Sequence, residues 1–226
     1  AIEHYAAAHS SPALPAYLLR HRDESAAAFG ERLMISNLQA QLIMFLIQSH
    51  GFKNVLEIGT FTGFSALCFA EAGADSVLTL EFDERHASFA KLAIHAAGKS
   101  DVVRVLRGDA HALLRDKQQV GGKEQYDFVF IDAEKQGYQD YLTQILTRKL
   151  LKPNGLIVCD NTLRRGAVVL SGPPSRSPAE SPEEKRRAES FEQDVNAIKT
   201  FNTFVAQHPQ LSSILLPVFD GMSLIR

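Results

Sequence analysis

Residues 55–65 read VLEIGTFTGFS, and within them Glu57, Gly59 and Gly63 form the pattern E-x-G-x-x-x-G at the end of an apolar run. Glycine lets backbone approach a ligand closely because no Cβ intrudes. The spacing differs from the G-x-G-x-x-G that wraps a dinucleotide pyrophosphate. A carboxylate where that motif has its first glycine suits a ligand with an amino or ammonium group, such as the methionine end of S-adenosylmethionine. The bland alternative is a Gly-containing turn of any doubly wound domain.

Oxygen-bearing side chains end the other predicted strands as well: Glu81, Asp109, Asp132 and the pair Asp160-Asn161. A lone strand-end Asp is most simply a helix cap. Together with Glu57 they point to a polar, partly anionic cleft at the carboxyl edge of a sheet, where ligands bind in open α/β folds. Glu81 follows Gly63 by eighteen residues, the distance at which an acidic residue accepts hydrogen bonds from ribose hydroxyls. Its alternative role is to cap the helix starting near Asp83. Asp109-Ala110 could edge an adenine ring or cap the helix containing Leu113.

Asp132, Asp160 and Asn161 offer only oxygen. That donor set suits a hard divalent cation, Mg²⁺ before Ca²⁺ or Mn²⁺, and disfavours Zn²⁺. If their two strands are neighbours, they lie about 4.8 Å apart, close enough for one ion to bridge. Lys135, three residues past Asp132, could return its ammonium to the same corner; a solvated loop lysine is the plainer reading.

Placing these residues requires strands and helices in alternation. Short runs rich in Val, Ile, Leu or Phe predict strands at 54–58, 76–81, 102–106, 126–131 and 155–159, with helices at 63–73, 84–98, 109–118 and 138–151. That order argues for a mainly parallel sheet with helices on both faces. Lys152-Pro153-Asn154-Gly155 reads as a turn delivering the fifth strand. An α-rich leader fills roughly residues 13–50, where Ser36 predicts an N-cap and Leu38, Leu42, Phe45 and Ser49 mark one helical face. Residues 171–183, SGPPSRSPAESPE, hold four of the nine prolines and read as a mobile loop. A helix follows with Phe191, Val195, Ile198, Asn202 and Val205 on one face. SSILLPV and MSLIR, joined by Phe219-Asp220-Gly221, predict an antiparallel hairpin at a sheet edge.

The 226 residues fit one α/β domain with a sizeable core. A net charge of −2 supplies no general attraction for phosphate backbones or anionic membranes. Lys185-Arg186-Arg187 follows Glu183-Glu184 and reads as a solvated helix start. Nucleic acid and membrane are therefore not expected partners, and no run approaches the ~20 apolar residues of a span. Cys68 and Cys159 fall in apolar patterns and are expected to be reduced core residues, as in a cytoplasmic protein. AIEHYAAAHS lacks the charged start and apolar centre of a secretory signal. The eight histidines show no H-E-x-x-H spacing, so His86, His95 and His111 are expected to be structural or exposed. Phe61 and Phe64 flank the glycine turn and are expected to pack its helix.

Six stretches carry a resemblance: VLEIGTFTGFS, LEFDERHASFA, RGDAHALL, YDFVFIDAEKQGYQDY, LLKPNGLIVCDNTLRRGAVV and LPVFDGMSLIR. Together they make most of residues 34–226 resemble the cation-dependent class I O-methyltransferases, the group with the caffeoyl-coenzyme A and catechol enzymes. Asp-Ala-Glu-Lys followed in order by Asp-Asn-Thr-Leu is the most diagnostic pair. The resemblance implies a Rossmann-like, seven-stranded, mainly parallel α/β sheet with an antiparallel C-terminal hairpin. It assigns S-adenosylmethionine to Glu57, Gly59, Gly63, Ser65, Glu81, Asp109, Ala110 and Asp132. The metal falls to Asp132, Asp160 and Asn161, and the catalytic base to Lys135. A small aromatic diol as acceptor and a homodimer are implied too.

The chain also departs from that pattern. Plant members have Trp-Asn after Asp-Asn-Thr-Leu, whereas this chain has Arg164-Arg165 and no tryptophan. Residues 1–30 match poorly, and the proline-rich loop is longer. These regions face substrate in the family, so the resemblance speaks to the reaction more than to the acceptor. Arg164 and Arg165 could meet an anionic substrate group or stay solvated.

Overall fold

The computed structural model describes residues 2–116, 118–120, 125–170 and 181–226. Five strands, β1 (Asn54–Ile58), β2 (Ser76–Glu81), β3 (Val103–Arg107), β4 (Tyr126–Ile131) and β5 (Leu151–Asp160), lie parallel in the order β3-β2-β1-β4-β5. The hairpin β6 (Ser213–Leu216) and β7 (Met222–Ile225) extends the sheet antiparallel, with β7 against β5 and β6 at the edge. The order reverses between β1 and β4, and that switch point opens the crevice in which such folds bind ligands.

Helices cover both faces: α1 (Ile2–Ala8), α2 (Ala16–Phe29), α3 (Asn37–His50), α4 (Phe64–Glu71), α5 (Glu84–Ala96), α6 (Ala110–Arg115), α7 (Tyr138–Thr147) and α8 (Pro182–Gln207). Strand alternation splits the core in two. Val55, Val77, Val103 and Phe128 pack toward α3, α4 and α5, while Leu56, Ile58, Val129 and Ile131 pack toward α7 and α8. Cys68 and Cys159 are free and buried. No described helix is long and apolar enough to cross a membrane.

Some expectations need correction. Ser36 does cap α3, accepting a hydrogen bond from the Gln39 N–H at 3.2 Å. The buried face of that helix, however, is Gln39, Ala40, Ile43, Met44 and Ile47, and Phe45 is 59% exposed. The helix is apolar on more than one side, so periodicity alone picked the wrong stripe. Residues 152–155 are no preceding turn: β5 starts at Leu151, and the pairing slips from Tyr126–Leu151 to Phe128–Leu156. The strand absorbs them as a bulge, with Asn154 at φ +66°. Residues 171–180 of the expected mobile loop lie outside the described residues, and 181–183 belong to a helix start. Ser181 caps α8 and, with Glu184, forms a reciprocal capping box.

Candidate active site

The turn after β1 is fixed peptide by peptide. Gly59 N–H donates to the Leu80 carbonyl at 3.0 Å, and Gly63 N–H to the Thr60 carbonyl at 2.9 Å. Glu81, at the tip of β2, accepts from Thr60 N–H at 3.2 Å and Phe61 N–H at 2.7 Å, while its other oxygen accepts from Asp83 N–H at 2.8 Å. Glu81 thus ties the turn to the start of α5 and still borders the main cavity.

Gly59 serves a close backbone crossing. It has φ +98°, and a Cβ there would lie 2.0 Å from the Asp132 carbonyl oxygen. Gly63, at φ +86°, starts α4 beside α5, where a Cβ would meet Ala90 Cβ at 3.1 Å. Gly59 borders the cavity, whereas Gly63 acts by helix packing.

Glu57 is fully buried beneath the turn. Strand alternation turns it toward α4, and the hydroxyls of Ser65 on α4 and Thr79 on β2 donate to its carboxyl oxygens. Burial pushes its carboxyl up to about 8 against these two hydrogen bonds, and the Asp132 and Glu81 charges add to the rise. In this conformation Glu57 supports the turn from below and presents no carboxylate to the cavity, unlike the sequence expectation. Ser65 lines a small adjoining pocket with Gly59, Thr60, Phe61 and Asp132.

The main cavity, about 1030 Å³, runs along the carboxyl edge of the sheet. It is bordered by Gly59 and Phe61, by Glu81, Phe82 and His86, by Asp109 and Ala110, and by Asp132, Lys135, Asp160 and Asn161. Asp109 also caps α6, accepting from His111 N–H at 3.0 Å, so the expected cap is present on a residue that also borders the cavity. Phe64 is buried as expected, but Phe61 opens onto the cavity and meets the His86 ring edge-on at 4.6 Å.

Asp132 and Asp160 follow β4 and end β5, which pair in parallel up to Ile131–Cys159. Their side chains therefore leave neighbouring strand tips. Burial, then the neighbouring Asp132 charge, push the Asp160 carboxyl above the usual carboxylate range, while the Gln39 amide, Lys135 and the Asn161 N–H pull it down. Asn161, at φ +56°, borders the same cavity. Lys135 lies in the short 3₁₀ turn Lys135–Gly137, largely buried, and donates to Asp132 Oδ1 at 2.8 Å and to the Tyr138 hydroxyl at 2.7 Å. The Tyr138 hydroxyl in turn reaches the Asp160 carbonyl at 2.9 Å. Lys135 is thus no solvated loop residue.

Sequence reasoning missed several members of this region. Gln39 is buried against Asp160 from the leader helix, and Ser190 and Asp194 reach the cavity from α8. Arg164 is held rather than solvated: it pairs with Asp194 at 2.6 Å and stacks over Phe191. His111 bridges Asp140 at 2.6 Å and Glu134 at 3.2 Å. None of these contacts has a local sequence signature, because each joins distant segments.

The chain's relatives agree with this architecture. The sequence profile described as O-methyltransferase matches residues 7–226. The O-methyltransferase ankF of Aspergillus thermomutatus is 32% identical over 229 residues, spanning 100% of this chain and 92% of its own length. A catechol O-methyltransferase of Niastella koreensis is 29% identical, covering 92% of this chain and 88% of its own. Among solved structures, the methyltransferase PaMTH1 of Podospora anserina, bound to S-adenosylhomocysteine, matches with a TM-score of 0.81 at 30% identity, over 94% of this chain and 88% of that one. The fold is the Rossmann-like class I methyltransferase fold. With the profile spanning all but the first six residues, the chain belongs to the O-methyltransferase family.

Proposed function

We infer that this enzyme transfers a methyl group from S-adenosylmethionine to a phenolic oxygen of an aromatic acceptor carrying two adjacent hydroxyls, with a divalent cation, Mg²⁺ first, as cofactor. The observation that carries this reading is the pair Asp132 and Asp160 at adjacent strand tips, bordering one cavity with Asn161 and Lys135.

The residues present fit such an ion by their donor chemistry. Two carboxylates and an amide are oxygen donors of the kind a hard cation takes. The Asp132 and Asp160 carboxylates stand at adjacent strand tips and repel each other, which a bound cation would relieve. Among the described residues no cluster of three His, Cys, Asp or Glu gathers at metal-binding spacing; this set has two acids and would need the amide to complete its protein ligands. A bound cation would stabilise a phenolate electrostatically and favour acceptors with two neighbouring oxygens.

The protein's own part is to bind, orient and handle the proton. A phenol of pKa ~10 is roughly 0.1% ionised at pH 7, a deficit of about 4 kcal/mol. Lys135, aimed by Asp132 and Tyr138, would take the phenol's proton as the free amine and then stand as an ammonium beside the phenolate oxygen. The turn at 59–63, Glu81, and the Asp109-Ala110 edge frame the donor, and the two halves of the cavity meet at the Gly59–Asp132 crossing. Holding donor and acceptor in line across that crossing supplies much of the remaining acceleration. The catechol O-methyltransferase among the relatives favours this acceptor class.

A mass-spectrometric screen of catechols, flavonoids and phenylpropanoid esters with S-adenosylmethionine, with and without Mg²⁺, tests the reading. Methylation of diols only when Mg²⁺ is present is expected. Methylation confined to acceptors without adjacent hydroxyls would contradict it.

A further inference from the structure

The turn at residues 59–63 is held from the sheet by Glu81 and Leu80, but one of its peptide groups is held from outside. Thr62 is fully buried, and its carbonyl accepts a hydrogen bond from His21 Nε2 at 2.9 Å. A carbonyl accepts only, so Nε2 carries the proton and Nδ1 is bare. Nδ1 is itself buried without a partner among the described residues. Burial holds the ring below the usual histidine range, and hence neutral, despite the Thr62 hydrogen bond and the nearby Glu24 charge. A phenylalanine or leucine would fill this space without stranding a nitrogen. What the imidazole adds is the N–H toward Thr62.

That bond fixes the plane of the Thr62–Gly63 peptide. The carbonyl of this peptide points to α2, and its N–H points back to the Thr60 carbonyl at 2.9 Å. Without His21 the buried carbonyl would lack a partner, and rotating the peptide to find one would break the Gly63–Thr60 bond. The same leader segment touches the site again. Phe29, the last residue of α2, packs edge-on against Phe61 and His86, at 5.9 and 4.9 Å, and Leu33 and Met34 border the main cavity. Tyr17, near the start of α2, donates to Glu71 of α4 at 2.8 Å.

We propose that His21 is a positioning residue for the methyl donor: its single N–H sets the cofactor turn from the leader helix and couples docking of α2 to binding of the donor. The proposal rests on the reading of S-adenosylmethionine as cofactor. It needs no assumption about the acceptor or the metal. Because coupling is reciprocal, whatever factor a docked α2 contributes to donor affinity, a bound donor returns to the docking of α2.

The test uses S-adenosylhomocysteine as probe, with the full chain. Calorimetric titration compares the wild type, His21→Phe, which keeps a ring and loses the donor, and His21→Gln, which keeps an N–H. His21→Phe is expected to weaken binding at least ~10-fold, and His21→Gln to stay within ~3-fold of wild type. Equal affinity for His21→Phe and wild type, or equal loss in both variants, would overturn the proposal. Should His21→Phe fail to fold, hydrogen exchange on the wild type still decides. The ligand is expected to slow exchange in peptides covering residues 16–29, and unchanged exchange there overturns the coupling. No binding to the wild type at all would remove the cofactor reading and the proposal with it.

Discussion

A Cβ on Gly59 would stand 2.0 Å from the carbonyl oxygen of Asp132, so the turns after β1 and β4 cross at backbone contact. The crossing joins the half of the cavity bordered by Glu81 and Asp109 to the half bordered by Asp160 and Asn161. Only a residue without a side chain permits it, and the left-handed φ of +98° sets the same requirement independently. Gly59→Ala should therefore cost about 3 kcal/mol, combining clash and backbone strain. That lowers Tm by roughly 6–12 °C in a chain of this size. Differential scanning calorimetry checks this, and an unchanged Tm would mean the two turns can separate freely.

Glu57 makes stability depend on pH. Its folded pKa of about 8 lies above its ordinary value of 4.5, because burial favours the neutral acid. Between those values the folded chain keeps a proton that the unfolded chain releases. Its contribution is therefore full below about pH 4.5 and is lost as pH rises toward 8, at up to ~1.4 kcal/mol per pH unit. Glu57→Gln should flatten that decline. Denaturant titrations of both proteins across this range measure the difference, and parallel curves would show that Glu57 titrates alike folded and unfolded.

Lys135→Ala should reduce kcat by at least ~100-fold if the Lys135 amine takes the acceptor's proton. Affinity for S-adenosylhomocysteine should change little, since Lys135 contacts Asp132 and Tyr138 rather than the 59–63 turn. Steady-state kinetics with a diol acceptor, paired with calorimetry, separates the two effects. A kcat within ~3-fold of wild type would take Lys135 out of the chemistry.

Asp160→Ala should abolish Mg²⁺-dependent turnover while leaving affinity for S-adenosylhomocysteine within ~3-fold. Asp160 ends β5, beyond the strand that carries Asp132, and shares no hydrogen bond with the glycine turn. Loss of cofactor binding along with turnover would assign Asp160 to the donor side instead.

Much of this was readable in the chain. β1, β2 and β4 fall where their apolar runs lie, because central strands of a parallel sheet are buried on both faces. The polar residues at their carboxyl ends converge because parallel strands all end on one edge. What escaped depended on tertiary contact. Alternation along β1 puts Glu57 on the side of Val55, under α4, which predicts burial, yet only the fold shows Ser65 and Thr79 taking its oxygens. His21 reaches Thr62 across 41 positions and Arg164 reaches Asp194 across 30, so no local pattern announces either. The face of α3 was misread because Phe45 is as apolar as the residues that are buried.

A divalent ion held by Asp132, Asp160 and Asn161 beside a bound methyl donor would make turnover depend strictly on metal. The most direct measurement is methyl transfer to catechol and to phenol, with the enzyme stripped by chelator and then resupplied with Mg²⁺. No turnover of catechol is expected without the ion, recovery is expected with it, and phenol should be a far poorer acceptor throughout. Full turnover in excess chelator, or equal rates for catechol and phenol, would contradict it.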